Sequence, residues 1–309
     1  NMNAKTAREI ERFSKRDAET WLRFWKFSQS DEYQRVMLDP IFNPPEWQTQ
    51  PDFLNRQVAV YPKLLEAGVN PDSLVLSASS LRACREFWES PEVQYSILRF
   101  IVSSAKNVND VQMGMYGVTM PMVLPVIGYA RGGTHQIAHA CHQILVQNGA
   151  KFFTHAEVTK VIIENGACTG IRLANGSEVR ARRIAVTAGL SAWQLLEMVG
   201  RDVMGGTIAR RIDNLSTKNI GNLMWYSFAL HEAPKYKAAS FNPDINRCEW
   251  LGLAADANPE HVAIECHYAN MGMMPPLEHY NPVVWCHSLA DPSYAPPGKH
   301  VAQCEMQGP

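Results

Sequence analysis

The chain has 309 residues, enough for one large domain or two ordinary ones, and 46% of them are hydrophobic, so a sizeable core is available. Its formal net charge is −1, a balance that gives no electrostatic reason to expect nucleic acid or an anionic membrane surface as a partner. No apolar run reaches the roughly 20 residues a membrane-spanning helix needs, and the polar "NMNAKTAREIERF" reads as helix, not as a targeting peptide.

Three zones follow in chain order, with boundaries at 1–125, 126–200 and 201–309. The first reads as mainly helical. "TAREIERFSKRDAETWLRFWKF" sets Ile10, Phe13, Trp21, Phe24 and Trp25 at helical spacings, and Ser14 followed by Asp17 resembles a capping box with Asp in place of Glu. "DPIFNPPEWQTQP" is expected to be a loop, because its prolines remove backbone donors and fix φ. Further helices are expected over 53–65 and 90–103. The aromatic residues of this zone read as core, with lining of an apolar substrate tunnel as the other reading.

In the second zone, Gly132 and Gly133 precede an expected helix over 134–147, whose apolar stripe is Ile137, Cys141, Ile144 and Leu145. Asn148-Gly149 ends it. Short strands come next, with hairpin signals at Asn165-Gly166 and Asn175-Gly176, since type I′ turns need positive φ at both central residues. "RRIAVTAG" then reads as an apolar strand ending in small residues that let a ligand approach the backbone. In the third zone, "NLMWYSFALHEAP", "HVAIECHYA", "PVVWCHSLADP" and "GKHVAQCEMQG" read as strands between Pro-rich loops. They predict a mostly antiparallel sheet with both faces largely covered. Seven scattered cysteines without a C-x-x-C pair support neither a zinc ribbon nor a thioredoxin-type site. Reduced thiols in a cytoplasmic setting, or an organelle matrix, are the expectation.

The order of "RGGTHQIAHAC", "AEVTKVII", "GIRLANG" and "RRIAVTAG" resembles the phytoene desaturase-like branch of the FAD-dependent amine oxidases. The flanks "KTAREIERFSKRDAETWLRF" and "DPSYAPPGKHVAQCEMQGP" are similar to segments of the same branch, so the resemblance covers nearly the whole chain. It implies an α/β (mixed α+β) fold: part of an FAD-binding doubly wound domain over 126–200, and a substrate domain made of the helices of 1–125 and the sheet of 201–309. It also implies FAD as cofactor and a small apolar or alicyclic substrate that gives up a hydride. The G-x-G-x-x-G segment and the Gly-Asp motif of that family do not occur here. The expectation is therefore that companion polypeptides, or further parts of the same protein, supply them.

The resemblance assigns roles residue by residue. Arg131, Gly132 and Gly133 match a loop beside the flavin ring and substrate, where helix-terminal N–H groups can also meet an anion; a plain tight turn is the alternative. Gln136 falls where relatives carry a substrate-facing Gln, and His135 before it is a candidate acid or base. Glu157 and Val158 match the strand start whose backbone reads the adenine edge. Thr187, Ala188 and Gly189 match a small-residue turn beside the FAD phosphates and ribose, although Leu190 follows where relatives commonly carry polar residues.

His135, His139 and His142 share one helical face, a spacing able to bind zinc. With no H-E-x-x-H, a solvated face is the reading preferred, and no metal is expected. Trp225, Tyr226, Tyr268 and Trp285 read as core, or else as pocket lining. The reading from another class is a non-catalytic scaffold or assembly subunit that binds no flavin.

Overall fold

The computed structural model describes residues 2–31, 33–34, 50–70, 72, 75, 77–104, 106–123, 130–182, 191–215, 222–253 and 256–308. Most of the Pro-rich segment 39–51 lies outside them. The chain forms two compact units, Asn1–Gln136 with Lys218–Pro309, and Ile137–Thr217.

The helices of the first unit begin with α1 (Met2–Glu11) and α2 (Lys15–Ser28). The capping signal at Ser14 forms by half: its side chain accepts from the Asp17 N–H at 3.1 Å. The Asp17 carboxylate does not reach back to Ser14. It is buried and accepts from the backbone N–H groups of Glu89, at 3.0 and 3.1 Å, and of Ser90, at 2.8 Å. Asp17 thus secures the start of another helix. The segment expected as one helix over 53–65 is two, α3 (Pro51–Ala59) and α4 (Tyr61–Glu66). α5 (Ser80–Phe87) leads to α6 (Pro91–Ser103), whose N-cap Ser90 accepts from Val93 N–H and whose first residue is a proline pre-set for helix.

Along α6, Ile97, Leu98, Ile101 and Val102 are buried, each burial worth about 1.5–3 kcal/mol. α7 (Gly114–Val123) packs against α5 so closely that a Cβ at Gly117 would meet the Ser80 carbonyl at 2.3 Å. The Trp88 indole, also buried, donates to the Gly117 carbonyl at 3.1 Å.

The second unit opens with α8 (His135–Gln147), which begins just before the unit boundary. Its apolar stripe is exposed at Ile137, Ile144 and Leu145. β1 (Val158–Glu164), β2 (Ala167–Leu173) and β3 (Glu178–Arg180) follow as an antiparallel sheet in that order. Asn165 and Gly166 have φ of 53° and 76°, as a type I′ turn requires. The second hairpin departs from expectation, because only Gly176 has positive φ, 84°. Gly176 N–H donates to the Leu173 carbonyl at 2.9 Å, and Leu173 N–H donates to that of Ser177 at 2.8 Å. This is a three-residue loop closed by a left-handed glycine, a geometry in which Asn175 stays at negative φ. α9 (Ala192–Val199), α10 (Arg201–Met204) and α11 (Gly206–Asp213) complete the described part.

After the second unit the chain returns to the first with β4 (Asn222–Leu230), β5 (Trp250–Gly252), α12 (Pro259–Asn270), β6 (Val283–Trp285) and β7 (His300–Gly308). The four strands form an antiparallel sheet in the order β4-β7-β6-β5. "HVAIECHYA" is helix, not strand: it lies in α12, with Asn258 as side-chain cap and Pro259 at its start. Its short apolar runs are period-ambiguous, and the Asn-Pro start signal decides. The expectation of two covered faces fails at β4, where Trp225, Tyr226 and Phe228 are 46%, 54% and 49% exposed.

Candidate functional site

In the turn before α8, Gly132 and Gly133 have φ of 78° and 92°, values glycine adopts without a Cβ penalty. Gly133 N–H donates to the Ala130 carbonyl at 3.0 Å, and Gln136 N–H to that of Gly133 at 3.1 Å. An anion does meet this turn, and it is supplied by the protein. The Asp291 carboxylate accepts from Gly132 N–H at 2.7 Å. The same carboxylate accepts from Ser293 N–H at 3.0 Å and so caps the short turn Pro292–Tyr294. The Gly132 hydrogen bond, then those from Ser293 and the charge of Arg131, hold the Asp291 carboxyl below its ordinary value.

Tyr294 brings its hydroxyl to the other glycine, where a Cβ on Gly133 would lie 3.1 Å from it. Behind Tyr294 runs a ladder of rings. Tyr294 stacks on His287 at 5.2 Å and His287 stacks on Trp285 at 5.6 Å, both pairs tilted by 29°. Trp285 meets Trp250 at 6.0 Å and Trp225 at 6.2 Å. His287 Nδ1 lies 2.9 Å from Glu249 Oε1, a contact that fixes the ring's orientation.

Of the residues expected from sequence to be functional, Arg131, Gly132, Gly133, His135 and Gln136 come together here. Arg131, His135 and Gln136 are exposed, and the Gln136 side chain lies over Gly132, whose Cβ would be 3.0 Å from its Cγ. Glu157 and Val158 belong to the second unit. Glu157 is exposed, and its carbonyl accepts from Ala174 N–H at 2.9 Å. Val158, half-buried, opens β1 beside an irregularity of register between it and Lys160. Thr187, Ala188 and Gly189 lie outside the described residues. His142 packs on Phe152 at 4.3 Å, and among the described residues no group of His, Cys, Asp and Glu is arranged to hold a metal.

Sequence reasoning missed Asp291, Tyr294, His287 and Glu249. "DPSY" carried a local signal, since Asp-Pro is a turn-initiating pair. Its pairing with a turn 159 positions earlier carried none.

Among the described residues no helix is long and apolar enough to cross a membrane. Residues 4–225 match the family described as flavin containing amine oxidoreductase. The mouse pyridine nucleotide-disulfide oxidoreductase domain-containing protein 2 is 26% identical over 186 residues, 58% of this chain and 31% of that protein. The carrot chloroplastic prolycopene isomerase is 36% identical over 109 residues, 34% of this chain and 17% of that protein. A 4,4'-diapophytoene desaturase from Methylomonas is 36% identical over 62 residues, 20% of this chain and 12% of that protein. The chain therefore spans less than a third of these relatives.

In fold it is similar to the crystal structure of an oxidoreductase from Methanosarcina mazei, with a TM-score of 0.53 and 18% identity over 82% of this chain and 52% of that one. With helices beside antiparallel sheets in a mixed α/β fold, and a family match that takes in most of its length, the protein belongs to the flavin containing amine oxidoreductase family, in its phytoene desaturase-like branch.

Proposed function

We propose that this chain is part of an FAD-dependent oxidoreductase that removes a hydride from an apolar or alicyclic substrate. The observation that carries the reading is the Arg131-Gly132-Gly133 turn in a chain of this family. It has no side chain at two successive positions and is fastened by Asp291. The glycines let Gln136 and the Tyr294 hydroxyl come close to the backbone, and these are the groups the turn would present to a ring system beside it. The resemblance assigns the flavin to residues of this turn in the first unit and, separately, to Glu157, Val158, Thr187, Ala188 and Gly189 of the second. Bound there, a flavin would supply hydride acceptance, and with loss of a proton from the neighbouring carbon the substrate would gain a double bond.

The protein's own part is placement and exclusion of water. Gln136, over Gly132, can donate or accept a hydrogen bond to orient a polar group of the substrate. His135, one residue before it, offers two ring nitrogens able to donate or accept a hydrogen bond. The exposed Tyr226 and Phe228 of β4 offer apolar contact.

We further propose that the G-x-G-x-x-G segment and the Gly-Asp motif come from companion polypeptides or from further parts of the same protein. The short span of this chain against its relatives supports this. The test is to purify the 309-residue chain with and without a co-expressed segment carrying G-x-G-x-x-G and to record flavin absorbance. A yellow complex with the segment, and a poorly loaded chain without it, is the expected result. A stable assembly that stays colourless would instead favour a scaffold.

A further inference from the structure

Beneath the sheet of the first unit lies a group of buried charges that the proposed reaction does not use. Arg99 of α6, Glu265 of α12 and Glu305 of β7 are 1%, 1% and 2% exposed. Among the described residues none of the three guanidinium nitrogens of Arg99 has a hydrogen-bond partner, and Oε1 of each glutamate also lacks one. The remaining oxygens are taken. Glu265 Oε2 accepts from Asn281 Nδ2 at 3.0 Å, and Asn281 Oδ1 accepts from the Tyr95 hydroxyl at 2.9 Å. Glu305 Oε2 accepts from the indole N–H of Trp285 at 3.1 Å. In the sheet Glu305 pairs with Trp225 and with Val283, and Trp285 pairs with Gln303, so Glu305 and Trp285 point to one face. A Cβ at Gly252 would lie 3.9 Å from Arg99 Cγ, which shows that α6 packs on that face.

We propose that Glu305 is a positioning residue that fixes the Trp285 indole, and with it the ring ladder to Tyr294, and that Glu265 and Glu305, beside the permanent cation Arg99, share one proton whose loss loosens that hold.

The charge count requires it. One permanent cation faces two carboxyls in a medium where an uncompensated charge is costly. Neutrality is reached when one carboxyl keeps its proton. Burial raises Glu265 from 4.5 to about 7 against the opposing pull of Arg99 and Asn281. Burial also raises Glu305, opposed by Arg99 and the Trp285 hydrogen bond. Glu265 is thus the carboxyl that keeps its proton up to about 7, while Glu305 Oε2 accepts the indole N–H.

The other titratable neighbours do not compete for it. Tyr95, beside Asn281, is pushed up to about 12 by burial, and Cys266, on the same helix as Glu265, likewise to about 12. Burial also raises Tyr280, whose hydroxyl is unpartnered among the described residues, and Cys304 next to Glu305. Ionising Glu265 adds a second negative charge near Arg99. The charge of the guanidinium then acts on two carboxylates, and the charge balance around Glu305, which accepts the Trp285 indole N–H, changes.

The functional consequence rests on the reading of the 131–136 turn given above, because the ladder ends at Gly133. The test needs no flavin. The full chain, alone or with the polypeptide that completes it, is labelled with fluorotryptophan. The eight tryptophans give separable fluorine resonances, and Trp285→Phe assigns the one of interest. The expected result is a Trp285 resonance that moves with a single midpoint at about 7. Glu265→Gln abolishes the movement and keeps the resonance at its low-pH position. Glu305→Gln displaces it at every pH. A merely structural role would broaden all the resonances together. A Trp285 resonance that ignores pH in the unsubstituted protein, or one that still titrates in Glu265→Gln, would overturn the proposal. Both outcomes stand even where Glu305→Gln does not fold.

Discussion

The Asp291 carboxylate accepts a hydrogen bond from the backbone N–H of Gly132 at 2.7 Å, joining positions 159 residues apart. Gly132 lies in the turn ahead of α8, and its N–H is satisfied by a distant side chain instead of a local partner. Because Asp291 also caps the Pro292–Tyr294 turn, one carboxylate holds two loops in register. The contact sets where Arg131 and Gln136 are presented.

Asp291→Ala should therefore release the turn, while Asp291→Asn, which keeps an acceptor oxygen, should largely preserve it. The measurement is flavin content and turnover of the assembled protein. The pH dependence has a definite sign. Asp291 is held below its ordinary 3.8 in the folded protein. Its contribution is fully present above that value and is lost only as pH falls through the lower folded one. The turn should thus be insensitive to pH across the neutral range. A loss of flavin near neutrality that Asp291→Asn removes would contradict the assignment.

Gly133→Ala places a Cβ at a φ of 92°, 3.1 Å from the Tyr294 hydroxyl. The left-handed backbone alone costs an L residue roughly 1–2 kcal/mol. Gly133→Val, branched at Cβ, should cost more and should lower flavin occupancy sharply. Tyr294→Phe in the Gly133→Ala background removes the close oxygen but not the backbone strain, so stability should return only in part. Full recovery in denaturant unfolding would show that the contact, not the φ, makes glycine necessary here.

How far the sequence made this legible depends on the range of the interaction. The Asn165-Gly166 hairpin, the Ser90 cap of α6 and the helical start of α8 are written within four or five residues, and they are found where local chemistry puts them. α12 reads as strand because Val262, Ala263 and Cys266 suit either period, although Asn258-Pro259 is a helix-start signal. Asp17 misled in another way. Its spacing from Ser14 suggests a local box, but its carboxylate is spent on Glu89 and Ser90. The same limit hid Asp291, Tyr294 and the buried charges Arg99, Glu265 and Glu305. Each sits in an unremarkable local context, and its partner is fixed only by the tertiary fold.

Glu265 gives the protein a pH-dependent stability. The unfolded carboxyl ionises near 4.5 and the folded one near 7. Between those values the folded state holds more protons on this group, so the contribution of Glu265 is most favourable below 4.5, falls as pH rises, and levels off above about 7. At about 1.4 kcal/mol per unit the loss is on the order of 3 kcal/mol. Glu265→Gln cannot ionise, so the difference in thermal midpoint between it and the unsubstituted protein should move in the variant's favour as pH rises from 4.5 to about 7. Parallel curves would place the proton elsewhere.

Val158 tests the second unit. It is the first residue of β1, and β1 is at the edge of the described sheet. A proline is tolerated at the start of a strand and on an edge strand, because the N–H it removes need not belong to the ladder. Val158→Pro should therefore leave the melting curve of the chain nearly unchanged. If the Val158 backbone reads the adenine edge of FAD, the same substitution removes one donor from the cofactor. A net hydrogen bond of about 0.5–1.5 kcal/mol corresponds to roughly a 2- to 12-fold weaker hold. Val158→Ile keeps the N–H and the β-branched shape, so it should retain flavin as the unsubstituted chain does. The comparison is made by dialysing the assembled protein and following flavin loss by absorbance. Equal retention in the two variants, with both melting curves intact, would remove Val158 from the cofactor site. Faster loss from Val158→Pro alone would identify a backbone contact, since the two variants differ above all in the amide proton.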